Sequence, residues 1–404
     1  MIGLIKTRLQ NFEIKLLLLL ACGHTASFIN IQGIQSLMPF IREEFGISRT
    51  MAGLYSTFLF AAATGIALFS GNFVDRIGPK RGLLIGIFGV SFLMLFHSLA
   101  PLYAVILTLA FLTGISFSII TPSINKGIML GVPSGQRALS MGIMHSGTGA
   151  GGFAGAALLP LLAGTFGWRA SLIFSGTLGL ALGFLVFFLL NIEDERSTGS
   201  NETKINGFKK DLFIIIKNKK LMLTCGLGFV FGLAFGAIPA HYTLYLTMDL
   251  QYSEAWAGLA LGVVQIGGMI GRIFWCWISD YFIKGNRPNT FLLIIIAIVL
   301  LKFVNALAAS ILSASLVLML IISFLLGLSA LGWPGLYYTA VSERATAKMT
   351  GTASGMSLVF LRTGIVVGPP IFGFIGDTFD LYQYSWLVFA ISVLIFGIIY
   401  FIVR

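Results

Sequence analysis

Arg362 combines a residue type and a position that call for a chemical explanation. It lies in Phe360-Leu361-Arg362-Thr363-Gly364, about halfway along an apolar run. An arginine at the middle of a membrane-spanning helix costs roughly 2.5–3.5 kcal/mol on insertion scales, so it needs a wet cavity or a partner. The chain has 15 Asp and Glu, and none falls near the middle of an apolar run. A bound anion would supply the missing charge, because a guanidinium grips a carboxylate or phosphate with two parallel N–H donors. The alternative is a structural arginine bonded to backbone carbonyls and water. Lys302 lies in another run, nearer its centre than its end; packing, or snorkelling to the surface, accounts for it.

The four histidines, His24, His97, His145 and His241, are the other groups able to move a proton near neutrality. A lone histidine on a membrane helix also serves as a hydrogen-bonded packing residue. With no mid-run carboxylate, a proton-coupled process has few other carriers. Among uncharged residues, Gln265, Asn30 and Gln32 are polar within apolar runs, and Trp333 with Tyr337 could line a site or simply pack and anchor. No phosphate-binding loop, Cys/His metal spacing or nucleophile motif is present, so neither an enzyme nor an ATP-driven pump is expected, and no cofactor. The three cysteines, Cys22, Cys225 and Cys276, fall within or at the ends of apolar runs and read as packing residues.

A second constellation is a loop, Gly71-Asn72-Phe73-Val74-Asp75-Arg76-Ile77-Gly78-Pro79-Lys80-Arg81, set between two apolar runs in a chain that is 10% charged. Gly71 and Gly78 allow close backbone approach and an unusual turn, and Pro79 stops the preceding helix. Asp75 can meet a helix amino terminus, where unpaired N–H groups favour an anion. Lys80 and Arg81 are also explained as topology charges, which Asp75 is not. About 205 residues later a worn copy appears as Cys276-Trp277-Ile278-Ser279-Asp280-Tyr281, then Gly285, Arg287 and Pro288. There the glycine has become Cys276 and the first base Tyr281, and Arg272, upstream, is a candidate partner for Asp280.

The elements that must carry these residues follow from composition. The 404 residues are 57% hydrophobic with a mean hydropathy of +0.94, which excludes a soluble domain because its surface would be one apolar patch. Runs of about 20 apolar residues predict membrane helices. Twelve are expected, at roughly 14–40, 52–70, 82–99, 102–122, 138–161, 169–190, 221–247, 255–275, 290–309, 314–338, 351–374 and 385–403. The first run lacks a clear cleavage site and is taken as a span rather than a signal peptide. Of the 26 Lys and Arg, 21 lie in the amino-terminal tail, at the carboxyl end, or in and beside the loops after even-numbered spans. That asymmetry predicts that both termini are cytoplasmic, and it assigns the net charge of +11 to membrane topology rather than nucleic acid. Residues 191–220, with seven Lys or Arg, read as a linker whose second part lies on the membrane surface. Boundaries of 1–190, 191–220 and 221–404 follow. Shifting by 213 residues lays Gly142, Gly151 and Gly155 on Gly355, Gly364 and Gly368, so two equivalent halves are expected. Gly147, Gly151 and Gly155 form a stripe for close helix contact.

The Gly71–Arg81 loop resembles the G-x-x-x-D-R-x-G-x-(K/R)-R element between helices 2 and 3 of the major facilitator superfamily, and the resemblance extends over essentially the whole chain. It implies an all-α membrane protein with 12 transmembrane helices in two pseudo-symmetric six-helix bundles, an alternating-access secondary transporter with its solute site between the halves. In that family the aspartate matching Asp75 latches the cytoplasmic gate against the far half, and Arg76, Lys80 and Arg81 resemble the bases that hold the loop in register. Spans 1, 5, 7, 8, 10 and 11 then make Arg362, His24, Asn30, His145, His241, Gln265, Trp333 and Tyr337 solute-site candidates. Asn125-Lys126-Gly127 with Arg137, and Gly167-Trp168-Arg169, are similar to members that move small anions (oxalate/formate, cyanate, nitrate, organic anion/cation symporters). The expectation is a monomeric inner-membrane transporter of a small organic or inorganic anion, coupled to protons or a counter-anion. An efflux carrier for hydrophobic compounds is the rival, and a receptor without flux is the remote one. A cysteine placed in the 197–204 linker is predicted to react with a membrane-impermeant maleimide only from the cytoplasmic side; labelling in intact cells would reverse the topology.

Overall fold

The computed structural model describes residues 11–133, 137–192, 216–307, 315–345 and 350–403. The expected linker and its surface helix fall mostly outside these residues. The described chain is helical without strands. Its first part contains α1 (Asn11–Ser36), α2 (Met38–Phe45), α3 (Arg49–Gly65), α4 (Ala67–Ile77), α5 (Pro79–His97), α6 (Tyr103–Gly131), α7 (Arg137–Phe166) and α8 (Trp168–Leu189). The second contains α9 (Lys219–Met248), α10 (Glu254–Trp277), α11 (Arg287–Leu307), α12 (Leu316–Ala330), α13 (Pro334–Arg344), α14 (Thr350–Phe379) and α15 (Tyr382–Val403). Among the described residues eleven helical stretches are long and apolar enough to cross a membrane, or twelve if α3 and α4, bent by 60° at their break, make one span.

Three breaks depart from the expected continuous spans, the first of them at Leu37, between α1 and α2. The second span divides between Gly65 and Ala67. The tenth divides at Leu331–Trp333, because Pro334 has no N–H for the Ala330 carbonyl. The Trp333 indole takes that carbonyl instead, at 2.8 Å, and the Trp275 indole takes the Leu328 carbonyl at 2.8 Å. A break in an apolar segment persists only when its carbonyls are satisfied in this way.

The chain clusters into two compact units, Met1–Phe45 with Phe58–Ser200, and Gly46–Thr57 with Asn201–Arg404. Residues 46–57, expected in the first bundle, are thus part of the second unit. In unit 1, α1 packs along α7, and α5 against α6 and α8, around a core that includes Leu20, Leu83, Ile87, Ile124 and Val186. In unit 2, α9 packs along α14, α10 against α12, and α11 against α15. Pairing of spans 1 with 5 and 3 with 6 therefore recurs as 7 with 11 and 9 with 12, the internal repeat that the glycine spacing predicts.

The glycines show why. A Cβ on Gly151 would collide with the Thr25 carbonyl of α1, and one on Gly364 with the Phe229 carbonyl of α9. Gly355, aligned by the same repeat, has nothing within 4 Å of that position, so its place in the pattern is not a packing requirement. Gly364→Ala is therefore expected to destabilise purified protein by about 1–3 kcal/mol through overpacking. Gly355→Ala should leave the melting temperature unchanged or raise it, since alanine favours helix.

Candidate functional site

Within unit 2, three helices bring two guanidiniums to one phenol. Arg362 from α14 and Arg272 from α10 are both half-buried, and both act electrostatically on the Tyr338 hydroxyl of α13. Among the described residues Arg362 has no acidic partner, and Tyr338 is its one recorded electrostatic neighbour. Gln265 stands seven residues before Arg272, two helical turns away on the same face of α10. It is half-buried and makes no hydrogen bond among the described residues. Two basic side chains and a hydroxyl of unit 2 thus act on one another electrostatically.

Other residues singled out from the sequence go elsewhere. Trp333 and Tyr337 are fully buried. Trp333 packs on Phe231, with ring centroids 5.1 Å apart, and on Tyr337 at 5.4 Å, while the Tyr337 hydroxyl donates to the Ser357 carbonyl at 3.1 Å. Their polar atoms are satisfied inside the unit, so the aromatic core explains them and the lining role does not. His241 is also buried, between the Tyr382 hydroxyl (3.1 Å) and the Pro369 carbonyl (2.8 Å), far along α9 from its start. In unit 1, His24 is buried edge-on to Phe28. Asn30 is buried and donates to the Ala26 carbonyl at 3.0 Å, but its Oδ1 and the Gln32 Nε2 have no partner among the described residues. The His145 side chain lies outside the described ones. Lys302 is buried rather than snorkelling; its ammonium donates to the Phe389 carbonyl at 3.2 Å and sits 5.3 Å from the Phe389 ring centre.

The charged loops resolve into two similar brackets. Gly78, with φ of 90°, makes the turn between α4 and α5, and Pro79 opens α5. Gly71 has only open space where a Cβ would be, so close approach is not its reason. Asp75 meets Lys126 of α6 (3.1 Å), whose ammonium also donates to the Asp75 and Val74 carbonyls at the end of α4. A cation there is favoured by the helix dipole. Lys126 is thus bound to the loop of its own unit. Arg76 and Arg81 are exposed, and the Lys80 ammonium lies 5.7 Å from the Phe187 ring centre.

In the second copy Asp280 sits on a π-helical turn, Ile278–Phe282. It pairs with Arg287 at 2.5 Å, not with Arg272, and Arg287 also holds Glu343 of α13 at 2.9 Å. Gly285 (φ 77°) repeats the turn of Gly78. Lys126 is 51 residues from Asp75, and Glu343 is 56 from Arg287, so spacing missed them; Arg287, named in the second copy, was passed over for Arg272. The Gly167-Trp168-Arg169 element likewise turns out to be a clasp: Trp168 and Arg169 both bind Glu44 of α2, and the hydrogen bond from Arg169 holds the Glu44 carboxyl below its usual range.

The sequence profile of the Major Facilitator Superfamily matches residues 20–360. The chain belongs to that superfamily. It is a multi-pass membrane transporter, not an enzyme, with the two-domain fold of its relatives. An uncharacterised transporter of Bacillus subtilis, YybO, is 25% identical over 90% of this chain and 87% of its own length. A hexuronate transporter of the same organism is 23% identical over 93% and 91%. The quinolone resistance protein NorA of Staphylococcus aureus is 24% identical over 92% of each. Among solved structures, a bacterial homologue of the human lysosomal transporter Spinster superimposes with a TM-score of 0.78 at 16% identity, covering 98% and 97% of the two chains. The nucleoside transporter NupG gives 0.76 at 14%, covering 97% and 99%.

Because the Asp75 side chain is largely exposed, its ion pair contributes under about 1 kcal/mol to stability. Asp75→Asn is expected to leave expression and melting near wild type while sharply reducing proteoliposome flux of whichever solute is carried. Unchanged flux would reduce the loop to a topological element.

Proposed function

We propose that the protein is a secondary transporter of a small organic or inorganic anion, coupled to protons or to a counter-anion, in the inner membrane with both termini cytoplasmic. The observation that carries this reading is Arg362, half-buried midway along α14 without an acidic partner among the described residues. A second arginine, Arg272, shares the Tyr338 phenol with it. A bound anion would supply the charge that Arg362 lacks and could use guanidinium donors in pairs. The similarity to a hexuronate transporter, whose named solute is a carboxylate sugar, is in keeping with it. Gln265 would add a neutral donor or acceptor as a second-rank group within unit 2. The boundaries 1–190, 191–220 and 221–404 describe the sequence halves, with residues 46–57 lent to the second unit. The similarity to a quinolone resistance protein favours the rival, efflux of hydrophobic compounds, which would not need Arg362.

Binding of a panel of small carboxylates and inorganic anions to purified protein separates these readings. Arg362→Lys keeps the charge but loses the planar fork, so affinity should fall while some transport survives. Arg362→Gln loses a charge-assisted contact of about 1.5–3 kcal/mol and should weaken binding roughly 10- to 150-fold while melting normally. Early melting of both variants, with affinity unchanged in the folded fraction, would make the arginine structural. A well-folded Gln variant with normal anion binding would return efflux to the front.

A further inference from the structure

The second copy of the charged loop exposes three aromatic rings. Trp277 closes α10, and Tyr281 and Phe282 lie on the π-helical turn that follows. The rings touch one another: the Trp277 centroid is 5.0 Å from that of Phe282 and 6.3 Å from that of Tyr281. Even so, Tyr281 is 76% exposed, Phe282 66% and Trp277 46%. Among the described residues neither the Trp277 indole nor the Tyr281 hydroxyl has a hydrogen-bond partner. With Asp75 laid on Asp280, the same three positions of the first copy hold Asn72, Arg76 and Ile77. The turn does not require the rings, because Gly78 makes it in the first copy without them. Water alone is a poor environment for three clustered rings.

The outer face of α10 leads to them. Ile270, Ile273 and Trp277 are exposed and recur at three- and four-residue spacing, which is one helix face. That face is turned away from Gly267, Gly268 and Gly271, which pack on α12. Since α10 belongs to a stretch able to cross a membrane, its outer apolar face meets lipid. Trp256, near the head of α10, is also exposed and stands 21 residues before Trp277. Along a helix the two indoles are then ~31 Å apart, matching a hydrocarbon core of ~30 Å. Tryptophan and tyrosine collect at both edges of that core, where the ring meets apolar chains and its polar tip meets headgroups. Trp277 thus falls at one edge, and the turn carrying Tyr281 and Phe282 lies against the headgroups. Lys284 follows, exposed and without an acidic partner among the described residues. Arg287, by contrast, is engaged by Asp280 and Glu343. Inside the turn, the Ser279 hydroxyl accepts from Arg287 (2.8 Å) and lies 3.0 Å from the Thr290 hydroxyl. One side of the turn is thereby fixed to unit 2 while its rings face out.

We propose that this loop is a membrane anchor, in which Trp277, Tyr281 and Phe282 seat in the interfacial layer and Lys284 holds the phosphate of an anionic phospholipid. This goes beyond the anion-transport reading and does not rest on it. The occupant is lipid because the rings continue a lipid-facing helix surface, fall at bilayer spacing from Trp256, and end beside an unpaired cation.

Contact quenching by brominated phospholipids tests this on the purified full chain, in nanodiscs of equal parts phosphatidylcholine and phosphatidylglycerol. The Trp277 signal is the difference in fluorescence between wild type and Trp277→Phe. Tyr281→Trp supplies a second signal at the same loop should the first variant not fold. Bromines high on the acyl chains should quench either signal more strongly than bromines at the bilayer centre. Carried on phosphatidylglycerol, the shallow bromines should quench as though that lipid were about fivefold enriched over phosphatidylcholine, the effect of one lysine beside an anionic surface. Lys284→Gln or high salt should remove the enrichment and leave the depth preference. No quenching by either lipid, stronger quenching from the bilayer centre, or equal quenching by the two headgroup classes would overturn the proposal. So would an enrichment that survives Lys284→Gln. Quenching that emerges only as protein is diluted in lipid would assign the rings to a second copy of this chain, and would overturn it as well.

Discussion

A charge removed from bulk water must be met by an opposite charge or by oriented dipoles, and in this chain that constraint sorts nearly every ionisable side chain. Lys126 sits on the carbonyl end of α4 with Asp75, Arg287 bridges Asp280 and Glu343, Arg169 and Trp168 clasp Glu44, and Asp377 caps the head of α3. Each is a bond between a loop and a neighbouring helix, made where the chain leaves the apolar layer. Among the described residues Arg362 departs from this pattern, having no acidic partner. Natural structures tolerate such an imbalance mainly where a ligand completes it.

The same accounting applies to the backbone. Apolar surroundings leave carbonyls no water to fall back on, so each proline in a span creates a debt that some side chain or neighbouring helix must settle. Pro334 frees a carbonyl for an indole, and Pro370 frees one for Thr57. Where two helices instead approach backbone to backbone, glycine is the residue that permits it, and Gly151 and Gly364 mark the same contact in the two units. Helix breaks, prolines and small residues thus belong to a single pattern, with rigid helix pairs joined by satisfied interruptions.

Much of this was legible in the sequence. Apolar run length gives the spans, and the 213-residue glycine shift gives the repeated helix pair, because both are local periodicities. The Gly78–Pro79 turn follows from residue types alone. Pairing is less legible. Asp280 has Arg272 and Arg287 at similar sequence distance, and only the π-helical turn that re-aims Asp280 selects Arg287. Trp333 and Tyr337 have the composition of a binding surface, and their burial decides against it. Asp249 and Asp377 look like ordinary span-end charges. What distinguishes them is that they face helix heads hundreds of residues away or across a chain reversal, information that no short window contains.

The bond from Asp377 to the Arg49 amide joins residues 328 positions apart. On a ribosome adding about 5–20 residues per second, the head of α3 is therefore made roughly 16–66 s before its cap exists. For that interval its first amides stay at the membrane surface, where water or lipid headgroups can satisfy them, and α3 enters the bilayer as a provisional element. The second unit is completed only when its penultimate span arrives to claim a segment synthesised with the first. Biogenesis of this transporter thus ends with a long-range docking step, and its order of assembly is not its order of translation.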